Sequence, residues 1–141
     1  MPDALNFIIE PPDDAVSAQI HAGLGAFNRR IEGSERQLFN VVLRDGDGRL
    51  QGALLASVRF DVMNIQDLYI EEPHRRDGHG AKLIAMAEAE ALKRGARSAC
   101  VMTFSWQARP FYEKQGYAVF AEISYLDGTH TLYSLKKSLC A

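Results

Sequence analysis

Arg75-Arg76-Asp77-Gly78-His79-Gly80-Ala81-Lys82 is the stretch on which the reading of this chain turns. Ahead of it, Val62 to Glu72 reads as a strand that Pro73 ends, with Leu68 and Ile70 on one face and Asp67, Tyr69 and Glu71 on the other. Behind it, Ala81 to Arg94 sets Leu83, Ile84, Ala87, Ala91 and Leu92 along one helical stripe, and Gly95 is a natural stop. A turn between a strand end and a helix start lets several backbone amides converge on one point. Unpaired N–H groups and the helix dipole favour an anion there. Gly78 and Gly80 would let a ligand approach the backbone, and Arg75, Arg76 and Lys82 add positive charge. The same residues also suit a tight turn with solvated charges. A dinucleotide fingerprint is a poor fit, because its third glycine is missing and the loop does not follow a first strand.

Upstream, Leu5 to Glu10 reads as a short first strand closed by Pro11 and Pro12. Asp13 or Asp14 can cap a helix on which Val16, Ile20, Leu24 and Phe27 share a face. Arg36 to Arg44 and Arg49 to Phe60 form a strand pair around Asp45-Gly46-Asp47-Gly48, a turn rich in the residues that accept positive φ. Downstream come the strand Ser98 to Phe104, the short helix Trp106 to Gln115, and a hairpin, Tyr117 to Tyr125 with Thr131 to Leu139. The predicted order is β-α-β-β-β-α-β-α-β-β, an α/β sheet covered by helices in a single domain spanning residues 1–141.

Composition narrows the function classes. With 141 residues, 47% hydrophobic and 24% charged, the chain can bury a core without staples. A net charge of −2 argues against a nucleic-acid binder and leaves small molecules or proteins as partners. Cys100 and Cys140 have neither metal-ligand nor disulfide spacing, and His21, His74, His79 and His130 offer no ligand pair, so no metal site is expected. Cys100 reads as a small buried hydrophobe and Cys140 as an exposed thiol. No signal peptide or apolar span stands out, which points to a cytoplasmic protein with no membrane partner.

The loop resembles that of the GNAT superfamily of acyl-coenzyme A-dependent N-acetyltransferases, Arg/Gln-x-x-Gly-x-Gly/Ala, with Arg75, Gly78 and Gly80 matching. A second segment, Ala108-Arg109-Pro110-Phe111-Tyr112-Glu113-Lys114-Gln115-Gly116-Tyr117, resembles the family's Ala-x-x-Phe/Leu-Tyr-Glu-Lys-x-Gly-Phe/Tyr element. The two lie in the family's order and separation. The resemblance implies a GNAT-like fold, a mixed and mostly antiparallel central sheet flanked by helices. It implies transfer of an acetyl group from acetyl-CoA to a primary amine of a small molecule or protein. Backbone groups of Leu68, Tyr69 and Ile70 would pair with the pantetheine arm. Amides of Arg76, Asp77, Gly78, His79, Gly80 and Ala81 would hold the pyrophosphate, and Tyr112 would protonate the departing thiolate.

Three departures from the family pattern stand out: the charge of Asp77, the imidazole of His79, and Ser105 in place of a cofactor-binding Asn, a role that Ser105 or Gln107 could fill. Asp67 and Glu71 are the candidate bases. Trp106 either lines an acceptor pocket or, as the favoured reading, anchors the helix bearing Tyr112; His130 reads as an exposed turn histidine. Likeness to the family allows a homodimer. The alternatives are a non-catalytic acyl-CoA-binding module and a nucleotide-binding regulator using the same loop.

Overall fold

The computed structural model describes residues 3–140 and divides into two compact units, Met1–Ser34 and Glu35–Ala141. In the first unit, helix α1 spans Asp14–Asn28, and the Asp13 carboxylate accepts the Ala15 N–H at 2.8 Å, the cap expected of an aspartate at this position. Its stripe of Val16, Ile20, Leu24 and Phe27 remains exposed. The strand expected at residues 5–10 is not formed: these residues enter no ladder, and a lone extended segment has no partner for its N–H and C=O groups.

The second unit is built on six strands: β1 (Gln37–Arg44), β2 (Leu50–Arg59), β3 (Val62–Ile70), β4 (Ser98–Phe104), β5 (Ala118–Tyr125) and β6 (His130–Ser138). They lie in the order β1-β2-β3-β4-β6-β5. All neighbours are antiparallel except β3 and β4, which run parallel because helix α2 (His79–Lys93) crosses between them. Helix α3 (Arg109–Lys114) precedes β5. This is the mixed, mostly antiparallel α/β sheet flanked by helices that the sequence led us to expect.

Directly opposed residues share a face. Val41, Leu54, Ala56, Val58, Met63, Ile65, Ala99, Val101 and Leu135 form one face, buried with Leu83, Ile84, Ala87 and Ala91 of α2 and with Tyr112 and Tyr117. Glu88 of α2 fastens that layer, accepting Tyr117 Oη at 3.1 Å and Lys137 Nζ at 2.9 Å. The other face carries Leu38, Val42, Leu55, Asp67, Tyr69, Met102 and Phe104.

One local irregularity shapes the rest. Leu55 opposes Asp67 while Ala56 opposes Ile65, so Gln66 is an extra residue in β3. Such a bulge bends its strand. The parallel ladder with β4 stops at the same level, running only from Val62 opposite Ser98 to Ile65 opposite Val101. Beyond it β3 and β4 part, leaving two unpaired strand edges that face a gap.

Candidate active site

The gap opens into a cleft of about 730 Å³ lined by Leu68, Tyr69 and Ile70 of β3, by the turn from His74 to Ala81, and by Gln107, Ala108, Phe111, Lys114 and Gln115. On the β3 side, Glu71 N–H donates to Gln51 O at 2.8 Å. Antiparallel alternation then aims the main-chain groups of Tyr69 and Asp67 at β2 and those of Leu68 and Ile70 into the gap. The expectation that Tyr69 contributes its backbone is therefore corrected, although the residue lines the cleft. The Ile70 carbonyl is already taken, since Arg75 Nε donates to it at 2.8 Å while the guanidinium lies 5.3 Å from the centre of the Tyr69 ring. Leu68 N–H and C=O and Ile70 N–H are left facing the gap.

The turn has its own economy of donors. Arg75 N–H is satisfied by Glu72 O, and Lys82 N–H by Gly78 O. Between them Asp77 N–H closes the turn over Arg75 and Arg76, and among the described residues the five amides of Arg76 and of Gly78 to Ala81 have no protein acceptor. Arg76 (φ 69°) and Gly78 (φ 82°) are left-handed, and alternation of this kind turns successive N–H groups into one concavity. The two glycines serve different ends. Gly78 is needed for its φ, with open space where a Cβ would stand. Gly80 is needed for packing, because a Cβ there would stand 3.0 Å from Phe111 Cζ, so it seats the start of α2 against α3. That replaces the expectation that both glycines serve ligand approach. Asp77 is exposed and does not line the cleft, whereas His79 does, its ring edge-on to His74 at 6.4 Å.

Opposite the turn, Ser105 is tied to β6, its N–H donating to Thr131 O at 2.8 Å and its Oγ accepting Thr131 N–H at 3.1 Å; its O–H remains free to donate, and it does not line the cleft. Gln107 does line the cleft, with its Oε1 accepting Phe104 N–H at 2.8 Å. Lys114, His74 and Phe111 are cleft residues that sequence reasoning did not assign; Lys114 stands in the quoted α3 segment two residues after Tyr112.

Tyr112 is 5% exposed, packed against Phe111 and Tyr117 with ring centres 5.2 and 6.0 Å away. Among the described residues its hydroxyl has no hydrogen-bond partner, and no fully buried side-chain polar atom goes unsatisfied, so the hydroxyl keeps an opening to solvent. Burial, and next the negative charge of Asp67, push this phenol up to about 12. Asp67 thus lies close enough for its field to reach the phenol, whereas Glu71 exerts no resolved effect on it. Tyr117 is raised further, by burial and by Glu88.

A raised phenol is a stability statement. An unfolded tyrosine ionises near pH 10 and folded Tyr112 near 12, so its contribution is complete below pH 10 and disappears as pH climbs to 12. Urea unfolding should lose about 1–3 kcal/mol between about pH 9 and pH 11. Tyr112→Phe should remove about half of that slope, the remainder coming from Tyr117, whose phenol is raised further.

Trp106 does not anchor α3. It precedes the helix, is 59% exposed, and stacks on Phe104 with ring centres 4.5 Å apart. His130 is half-buried, not a free turn residue, and meets the Trp106 ring at 4.8 Å. Cys100 and Cys140 are both half-buried; burial raises the Cys100 thiol, whose Sγ is 3.5 Å from Asn64 Oδ1. No helix of the described residues is long and apolar enough to cross a membrane.

Comparison with known proteins accords with this geometry. Residues 11–133 match the acetyltransferase (GNAT) domain family. An acetyltransferase of Agrobacterium fabrum is 30% identical over 135 residues, covering 94% of this chain and 98% of that one. The blasticidin-S acetyltransferase of Streptomyces morookaense is 35% identical over 77 residues, 54% of this chain and 57% of its own. A crystal structure from Agrobacterium tumefaciens, described as an acetyltransferase, superposes with a TM-score of 0.87 at 29% identity, covering 95% of this chain and 99% of that one. With both halves of the cleft and nearly the whole chain matched, the protein belongs to the GNAT family of acetyltransferases.

Proposed function

We propose that this protein transfers an acetyl group from acetyl-CoA to a primary amine of a small molecule, acting as one acetyltransferase domain in the cytoplasm. The observation that carries the reading is the pairing of five unsatisfied amides, those of Arg76 and of Gly78 to Ala81, with the open edge of β3 in one cleft. Amides in such a concavity suit a diphosphate. Leu68 N–H and C=O suit the amide groups of an extended arm added as a strand. Acetyl-CoA combines both features and would supply the thioester. The family is one of acetyltransferases, and a relative named for blasticidin S makes a small-molecule acceptor the favoured class.

The chain's own groups divide the chemistry. Ile70 N–H, aimed into the gap, is placed to stabilise negative charge on the carbonyl oxygen. Asp67 takes the proton that the attacking amine must shed. Tyr112 donates to the departing sulfur. A phenol at about 12 giving its proton to a thiolate of ordinary basicity, near 8.5, climbs roughly 5 kcal/mol. Asp67 eases that step, because once it has accepted the amine proton its charge no longer holds the phenol up. The proton can then return from Asp67 to Tyr112, leaving both groups as they began.

Thiol release from acetyl-CoA across a panel of amines tests the proposal. Release that depends on an amine supports it. Binding of acetyl-CoA with no release across the panel would instead fit a non-catalytic acyl-CoA-binding module.

A further inference from the structure

We infer that Phe104, Trp106, Tyr125 and His130 form an acceptor subsite for a primary amine carried on a flat, unsaturated ring. The inference rests on the proposed acetyl transfer and names the class of its acceptor. Phe104 opposes Leu132 in the β4·β6 ladder and His130 opposes Tyr125 in the β5·β6 hairpin, so all of these residues project from the sheet face away from α2 and α3. Trp106, one residue before the cleft residue Gln107, folds back onto them. Phe104 and Trp106 are nearly parallel, 12° apart, and Tyr125 meets Phe104 edge-on at 5.7 Å.

Trp106 is 59% and Tyr125 42% exposed, so the ring cluster is open to a ligand from solvent. Its position gives the patch a purpose. Phe104 ends the β4 edge of the gap, and Asp67 and Tyr69 stand on the same sheet face at the β3 edge. An amine entering from this face meets rings on one side and the Asp67 carboxylate on the other. Arg75 is held over Tyr69 and Lys136 over Phe120 at 5.4 Å. Glu71 shares the face of Asp67 and adds negative charge. A flat ring fits stacked aromatics better than a saturated body of equal size, by roughly fivefold for one aromatic pair.

Trp106 is the sole tryptophan, so its fluorescence reports the subsite directly. Phenethylamine and its saturated counterpart, cyclohexylethylamine, serve as probes on the full chain. We expect phenethylamine to quench Trp106 saturably and to bind roughly fivefold more tightly than the saturated amine. Tyr125→Leu should remove most of that preference. In the transfer assay Trp106→Leu should raise KM for phenethylamine several-fold while KM for acetyl-CoA stays put. Equal affinity for the two amines, or thiol release with phenethylamine and no change in Trp106 emission, would overturn the subsite and leave acetyl transfer standing. Ring-selective quenching without thiol release would uphold the subsite and remove the transfer reading instead.

Discussion

Tyr112→Phe should slow acetyl transfer about 10²- to 10³-fold in kcat while leaving the KM for acetyl-CoA nearly unchanged. The substitution removes one hydroxyl and keeps the ring that packs on Phe111 and Tyr117. Loss of a placed proton donor costs on the order of 10²- to 10⁴-fold. The lower part of that range is expected because Tyr112 is a weak acid at about 12, and water could enter where its hydroxyl stood. Steady-state kinetics at saturating amine gives the answer. A fall in kcat under about threefold would remove Tyr112 from the chemistry and leave it a packing residue.

Asp67→Asn should have two effects of opposite character. Transfer should fall by roughly 10²-fold, because the amine loses its proton acceptor. At the same time the Tyr112 phenol should become more acidic, since the charge that helps hold it near 12 is gone. Absorbance titration of phenolate, with Tyr112→Phe as the blank, reads the second effect. Damage to the fold would lower the phenol too, by relieving its burial, so the expected result is read together with an unchanged near-UV circular dichroism spectrum. Glu71→Gln should leave the phenol titration nearly in place, because Glu71 has no resolved influence on Tyr112.

Much of this was legible in the residues, for physical reasons. β4 coincides with the alternating run Ser98 to Phe104, and α2 starts at His79, two residues ahead of the expected Ala81, because Gly78 in the left-handed region supplies its N-terminal turn. The unpaired amides lie at the segment the Arg-x-x-Gly-x-Gly pattern indicated, since that pattern records backbone geometry. Facts about partners far apart in sequence were less visible. Nothing in Gly80 itself shows that Phe111 lies 3.0 Å from where its Cβ would be. Nothing in Ser105 itself shows that its Oγ accepts Thr131 N–H across the sheet. The bulge at Gln66 shows in the sequence only as a change of phase, from Met63 and Ile65 to Leu68 and Ile70, and it ends the β3·β4 ladder and so makes the gap. Residues 5–10 show the opposite failure, a strand-like pattern that forms no strand because a strand requires a neighbour.

Calorimetry with acetyl-CoA and acetyl-pantetheine tests most directly whether the free donors between Glu72 and Lys82 hold a diphosphate. Acetyl-pantetheine keeps the thioester and the arm but lacks the phosphates. Hydrogen bonds to a charged group contribute about 1.5–3 kcal/mol each, so losing two or more should weaken binding at least roughly 100-fold. Equal affinity for the two compounds, or no heat with acetyl-CoA at all, would contradict it.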